Sequence, residues 1–121
     1  MQHMKILVVD DDEDFLYLIH SQLRANGFEV DTAPNGEQFH QKVQQYQPDV
    51  IMLDINMDGK DGRDFCKEIK SNNQTAKIGV ILISADLDIR TIADTCGADA
   101  YLPKPIRVPV LKDKLSQVMH H

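Results

Sequence analysis

Apolar residues fall along this chain in two alternating rhythms. One is a set of short unbroken runs, "ILVV" at 6–9, "VIML" at 50–53 and "VILI" at 80–83, ending in Asp10, Asp54 and Ser84. Runs this short, with no 3.6-residue period, read as strands covered on both faces. The other rhythm is helical. "DEDFLYLIHSQLRANG" sets Phe15, Leu16, Ile19 and Leu23 at helical spacing, with Asp12 as the cap and Gly27 as the terminator. "NGEQFHQKVQQY" carries Phe39 and Val43 four apart, and Pro48 breaks it. "GRDFCKEIKSN" turns Phe65, Cys66 and Ile69 inward, "LDIRTIADTCG" is a helix closed by Gly97, and "VPVLKDKLSQVM" is the last. Two further strands are "FEVDTA" and "ADAYLP".

Strands and helices therefore alternate through five units, with no linker or repeat between them. Such alternation implies a parallel sheet with helices on both faces. Right-handed crossovers leave few topologies, and the commonest for five strands is the doubly wound order 2-1-3-4-5, the flavodoxin-like α/β fold. The domain is expected over residues 4–119. Residues 1–3 and 120–121 read as cloning remnants or disordered ends.

Composition narrows the function classes. A chain of 121 residues holds one domain. A net charge of −6 and a pI near 5.2 argue against a nucleic-acid-binding surface. No stretch nears 18 apolar residues, so no membrane span is expected. Cys66 and Cys96 lack CxxC or His neighbours and read as free thiols packed on helix faces. Free thiols and the missing signal peptide lead us to expect a cytoplasmic protein.

In a doubly wound sheet, ligands bind at the carboxyl ends of the strands, at the switch point between strands 1 and 3. Asp10 and Asp11 follow strand 1, Asp54 ends strand 3, Ser84 ends strand 4, and Lys104 follows strand 5. "DINMDGKDG" also resembles the front half of an EF-hand calcium loop. The twelfth position of that loop is Phe65, which cannot supply the two oxygens of the required Glu, and a strand precedes it where a helix is needed. Clustered carboxylates about 4 Å apart repel by roughly 1–4 kcal/mol, so a proton or cation is drawn in. Hard oxygen ligands without Cys or His favour magnesium. Lys104 suits a phosphoryl oxygen as a point charge, and Ser84 adds a hydroxyl. The set fits phosphoryl transfer, with Asp54 on the central strand as the candidate nucleophile. Taken singly, each residue has a plainer explanation. A strand-ending Ser is usually turn chemistry, a lysine is usually solvated, and a tyrosine on an apolar strand is usually core.

"ILVVDDDEDF", "PDVIMLDINMDGKDG", "VILISA" and "AYLPKP" together resemble the receiver domain of two-component response regulators, over residues 4–119. That resemblance implies a phosphorylation-dependent signalling switch rather than an enzyme with a separate substrate. Asp54 is then the phosphoacceptor. Asp11 and Asp54 bind Mg2+ (or Mn2+) directly, the backbone carbonyl of Asn56 is a third protein ligand, and Asp10 assists through water. Ser84 and Lys104 contact the phosphoryl group, Tyr101 is the aromatic switch residue, and the Lys104–Pro105 bond is expected to be cis. The implied donor is a sensor histidine kinase or a histidine phosphotransfer protein, and the implied state is a monomer or weak homodimer. Asp58 stands where many members have Pro. Asn56 and Asp86 lie at positions that tune phosphate lifetime. Three rivals stay open: a haloacid-dehalogenase-type phosphatase, an FMN-binding flavodoxin, and a pseudo-receiver acting only as an interaction module. The phosphatase needs an acid where Asn56 stands. The flavodoxin needs a phosphate cradle where Asp11, Asp12, Glu13 and Asp14 stand.

Overall fold

The structure, a computed structural model, describes residues 4–57, 59–85, 88, 90–91 and 96–119. Its main sheet has strands β1 (Lys5–Val9), β2 (Glu29–Ala33), β3 (Val50–Asp54), β4 (Gly79–Ser84) and β5 (Ala100–Pro103). All neighbours are parallel, in the order β2-β1-β3-β4-β5, as the alternation predicts. Helices α1 (Glu13–Ala25), α2 (Gly36–Tyr46), α3 (Gly62–Ser71) and a C-terminal helix (Val108–Met119) cover it. The helix predicted over residues 87–97 falls largely outside the described residues, as do Asp58 and Asp86.

Side chains alternate across the strands and build two core layers. Leu7, Val9, Ile51 and Leu53 pack with Phe39 of α2 and with Phe65, Cys66 and Ile69 of α3. Ile6, Val8, Val50 and Met52 pack with Leu16, Ile19 and Leu23 of α1 and with Leu111, Leu115 and Val118 of the C-terminal helix. Every residue of β1 after Lys5, and all of β3 and β4, is buried. Burying each such Leu, Ile or Val contributes about 1.5–3 kcal/mol. That explains why these strands show unbroken apolar runs where "FEVDTA" alternates: β2 lies at the edge, with Asp31 and Thr32 only half-buried. Both cysteines are buried free thiols. The Cys66 thiol donates to the Cys96 carbonyl at 3.4 Å, and burial pushes its pKa well above the ordinary range.

The cap read from the sequence is present at Asp12, and a second that was not singled out is found at Asn35. Asp12 accepts from the Phe15 N–H at 3.1 Å and Asn35 from the Gln38 N–H at 2.9 Å, starting α1 and α2. Gly27 takes a left-handed φ of +90° just beyond α1. The end of α2 is more than a proline break, because Gln47 itself adopts a left-handed φ of +53° before Pro48. One element was not anticipated. Asn56–Met57 pairs antiparallel with Lys60–Asp61, so the turn after β3 is a small hairpin.

Candidate functional site

The carboxyl ends of β1 and β3 bring three acids together. Carboxylate oxygens of Asp10, Asp11 and Asp54 lie within 4.8 Å of one another. Asp10 is 0% exposed and Asp54 6%, whereas Asp11 is exposed. The two buried acids are held by backbone bonds. The Asp10 N–H donates to Ala33 O at 3.1 Å, and Asp10 Oδ1 accepts from the Asp12 N–H at 3.0 Å. Asp54 is the last residue of the central strand, opposite Ile83 of β4, and its Oδ1 accepts a long 3.4 Å bond from the Asn56 N–H.

Lys104 enters from the loop after β5. Its Nζ lies 2.6 Å from Asp10 Oδ2 and 3.7 Å from Asp54 Oδ2. The Asp10 contact supplies charge, yet Oδ2 of that buried carboxylate receives no aligned hydrogen bond. Lys104 is held in turn by its own N–H, which donates to Ser84 O at 2.9 Å, and the Lys104–Pro105 bond is cis, as expected. Its ammonium also sits 4.4 Å from the centre of the Phe15 ring. Ser84 is buried at the end of β4, beside Asp54 on the neighbouring strand.

Lys104 does not offset the crowding at Asp54. Burial first, and then the neighbouring charge of Asp10, push the Asp54 carboxyl up to about 6, while Lys104 and the Asn56 N–H pull the other way. A buried acid crowded by another acid stores unfavourable charge, which a hard cation relieves. The donors present, all oxygens, suit Mg2+ or Mn2+ and not zinc. Asp11 and Asn56 line an open depression of about 480 Å³ with Met57, Gly59, Lys60 and Asp61, so the cluster is reached from solvent on that side.

Of the residues singled out in the sequence, Asp10, Asp11, Asp54 and Lys104 converge, Ser84 adjoins them, and Asn56 opens onto the entrance. Tyr101 stands apart. It pairs in register with Leu82, its ring is half-buried, and its hydroxyl accepts from Arg90 Nε at 2.7 Å. The Arg90 guanidinium and the Lys114 ammonium each lie 5.7 Å from the ring centre. Two supporting residues escaped the sequence reading. Gly62 donates its N–H to Ile55 O at 2.7 Å, and a Cβ there would fall 2.0 Å from Asp54 O, so only glycine lets α3 start against the back of Asp54. The signal was the second glycine of "DGKDG". Phe15 was assigned to the helix core, and nothing in its spacing reveals the lysine above it.

Comparison with known proteins agrees with this geometry. The sequence profile of the response regulator receiver domain matches residues 6–116. The chain is 31% identical over 117 residues to the phosphate regulon transcriptional regulatory protein PhoB of Rhizobium meliloti, covering 95% of this chain and 52% of that protein. It is 36% identical over 113 residues to the transcriptional regulatory protein KdpE of Staphylococcus aureus, covering 92% and 48%. The chain thus spans about half the length of these curated relatives. Among solved structures, a putative response regulator from Chloroflexus aurantiacus superposes with a TM-score of 0.91 at 25% identity, covering 99% of this chain and 100% of that one. The chemotaxis protein CheY4 of Vibrio cholerae gives a TM-score of 0.87 at 27% identity, covering 97% and 99%. The phosphatase and flavodoxin alternatives give way to this match, and receiver domains are signalling domains that typically hold magnesium at an acidic pocket. No helix among the described residues is long and apolar enough to cross a membrane. The five-stranded parallel fold, the acids gathered at its carboxyl edge and the matched profile lead to one assignment: the chain belongs to the response regulator receiver domain family of two-component systems.

Proposed function

We propose that Asp54 accepts a phosphoryl group from a phosphohistidine of a sensor histidine kinase or histidine phosphotransfer protein. The observation that carries this reading is the crowding of the buried Asp54 carboxylate against Asp10 and Asp11, with the Lys104 ammonium 3.7 Å away. A carboxylate oxygen of Asp54 attacks phosphorus. The P–O bond forms as the P–N bond breaks, and the imidazole leaves with the electron pair. Asp11 and Asp54, with the Asn56 carbonyl, would hold Mg2+, and Asp10 would act through water; the ion supplies neutralisation of charge on the transferring group. Lys104 then pairs with a phosphoryl oxygen and Ser84 donates its hydroxyl to another. Water later hydrolyses the acyl phosphate and resets the domain.

The switch is a local charge change. A carboxylate of about −1 becomes an acyl phosphate of about −2 with more acceptor oxygens. Lys104 and Ser84 sit at the ends of the last two strands and follow that charge. Tyr101, two residues before Pro103 on the same strand as the Lys104 loop, carries the change to the surface it shares with Arg90 and Lys114. The test is the intact mass of the chain after incubation with acetyl phosphate, with and without magnesium. One added phosphoryl group, dependent on magnesium and lost in Asp54→Asn, is the expected result. Equal labelling of Asp54→Asn removes the reading.

A further inference from the structure

The contacts around Lys104 close on themselves. Asp10 Oδ1 accepts from the Asp12 N–H, and Asp12 Oδ1 accepts from the Phe15 N–H. The Phe15 ring faces the Lys104 ammonium at 4.4 Å, and that ammonium pairs with Asp10 Oδ2 at 2.6 Å. The turn that aims Asp10 into the site therefore also sets the ring beneath the lysine. We propose that Phe15 is a positioning residue for Lys104, its ring face holding the ammonium in place before a phosphoryl group arrives.

The physical need is specific. Lys104 carries a flexible four-carbon stem and lies only 22% exposed, so its head has given up much of its water. Asp10 repays part of that loss, but without an aligned hydrogen bond. An aromatic face offers a desolvated ammonium a second attraction that a leucine of similar bulk does not. The ring is itself anchored. The Phe15 backbone N–H is fixed by the α1 cap, and the side chain packs on the layer formed by α1, the C-terminal helix and the sheet. The ring and Lys104 together line a groove of about 530 Å³ with Leu18, Ile19, Pro105 and Ile106, so the ring covers part of the lysine's approach to solvent and stays in contact with it there.

A plainer role for Phe15 is core filling, because its spacing with Leu16 and Ile19 fits a helix face. The two roles separate experimentally. The inference rests on the proposed contact of Lys104 with the phosphoryl group, so one readout must not depend on phosphorylation. That readout is the NMR shift of the Lys104 ε-methylene protons, which a ring face displaces upfield. The upfield displacement is expected in the native chain and in Phe15→Tyr, and it is expected to vanish in Phe15→Leu. In the acetyl phosphate reaction, Phe15→Leu should slow labelling roughly 3–10-fold and Phe15→Tyr less than twofold. Replacement of Phe15 by trifluorophenylalanine, which keeps the shape and removes the negative face, should slow it as Phe15→Leu does. In a Lys104→Met background, Phe15→Leu should change nothing further. An unshifted Lys104 methylene in the native chain overturns the proposal, whether or not the chain is labelled. Labelling of the trifluoro chain at the native rate overturns it also, as does an equal loss with and without Lys104. Failure of the native chain to label at all would instead strike the reading of Asp54 and leave the methylene shift to decide on Phe15.

Discussion

The central strand is bracketed by two aspartates with opposite circumstances. Asp49 precedes β3 and Asp54 ends it. Asp49 is exposed and its polar groups are met: its Oδ2 accepts from the Lys5 N–H at 2.9 Å, its N–H donates to Lys5 O at 2.9 Å, and its carbonyl accepts from the Gly79 N–H at 3.1 Å. Asp99 does the same for β4, accepting from the Val80 N–H at 2.8 Å while pairing with Lys70 at 2.6 Å. At the amino edge of the sheet, acids fasten strand ends. At the carboxyl edge, Asp54 is buried against Asp10 with a pKa pushed up to about 6, a long 3.4 Å bond to its own loop and the Lys104 ammonium 3.7 Å away. One edge spends its carboxylates on backbone N–H groups and the other keeps them for a ligand. Satisfied acids hold the fold, and crowded ones do its chemistry.

The sharpest way to break that contrast is to exchange the two acids in turn for amides. Asp54→Asn is expected to reduce labelling by acetyl phosphate to background while leaving the far-ultraviolet circular dichroism native. Asp49→Asn should label within twofold of the native chain. Next in size is stability at the amino edge. Asp99→Ala leaves the Val80 N–H without this acceptor and the half-buried Lys70 with only the Ile78 and Ala76 carbonyls, and is expected to cost about 1–3 kcal/mol in urea unfolding. Its labelling should be unchanged.

The same comparison has a pH signature. The carboxyl of Asp54 titrates near 6 in the folded chain against 3.8 ordinarily, so the folded state binds that proton more tightly. Its contribution to stability is present below about pH 4 and is lost as pH rises through 6. Asp54→Asn mimics the neutral form. Without metal it should be more stable than the native chain at pH 7–8, by an amount on the order of 1–3 kcal/mol. That gain should shrink below pH 6 and vanish below pH 4. Urea midpoints across this range check it, and a gain that persists at pH 4 would sink the crowding account. The smallest effect is expected at Tyr101. Arg90→Ala removes an exposed hydrogen bond and should cost about 0.5 kcal/mol or less, while shifting the Tyr101 ring resonances.

Much of this was legible because the chemistry sits where strands stop. Asp10, Asp54 and Ser84 terminate apolar runs, and a doubly wound sheet necessarily points those ends to one edge. The start of α1 was readable too: Asp12 caps it by a bond that the residue type announces, whereas the matching Asn35 cap of α2 was not singled out. What escaped depends on approach through space. The hairpin Asn56–Met57 with Lys60–Asp61 follows from a turn geometry that "NMDGKD" permits but does not specify. The closeness of Gly62 to the Asp54 carbonyl and of Phe15 to Lys104 joins segments that no local period relates. The left-handed Gln47 is likewise invisible, since glycine or asparagine is the residue expected there.

The most direct test of the central claim is to locate the phosphoryl group by chemistry. Borohydride reduces an aspartyl phosphate to homoserine, and peptide mass spectrometry then reads the position. After incubation with acetyl phosphate and magnesium, homoserine is expected at residue 54 alone. Homoserine at Asp11, Asp49 or Asp99, with residue 54 intact, would contradict the account.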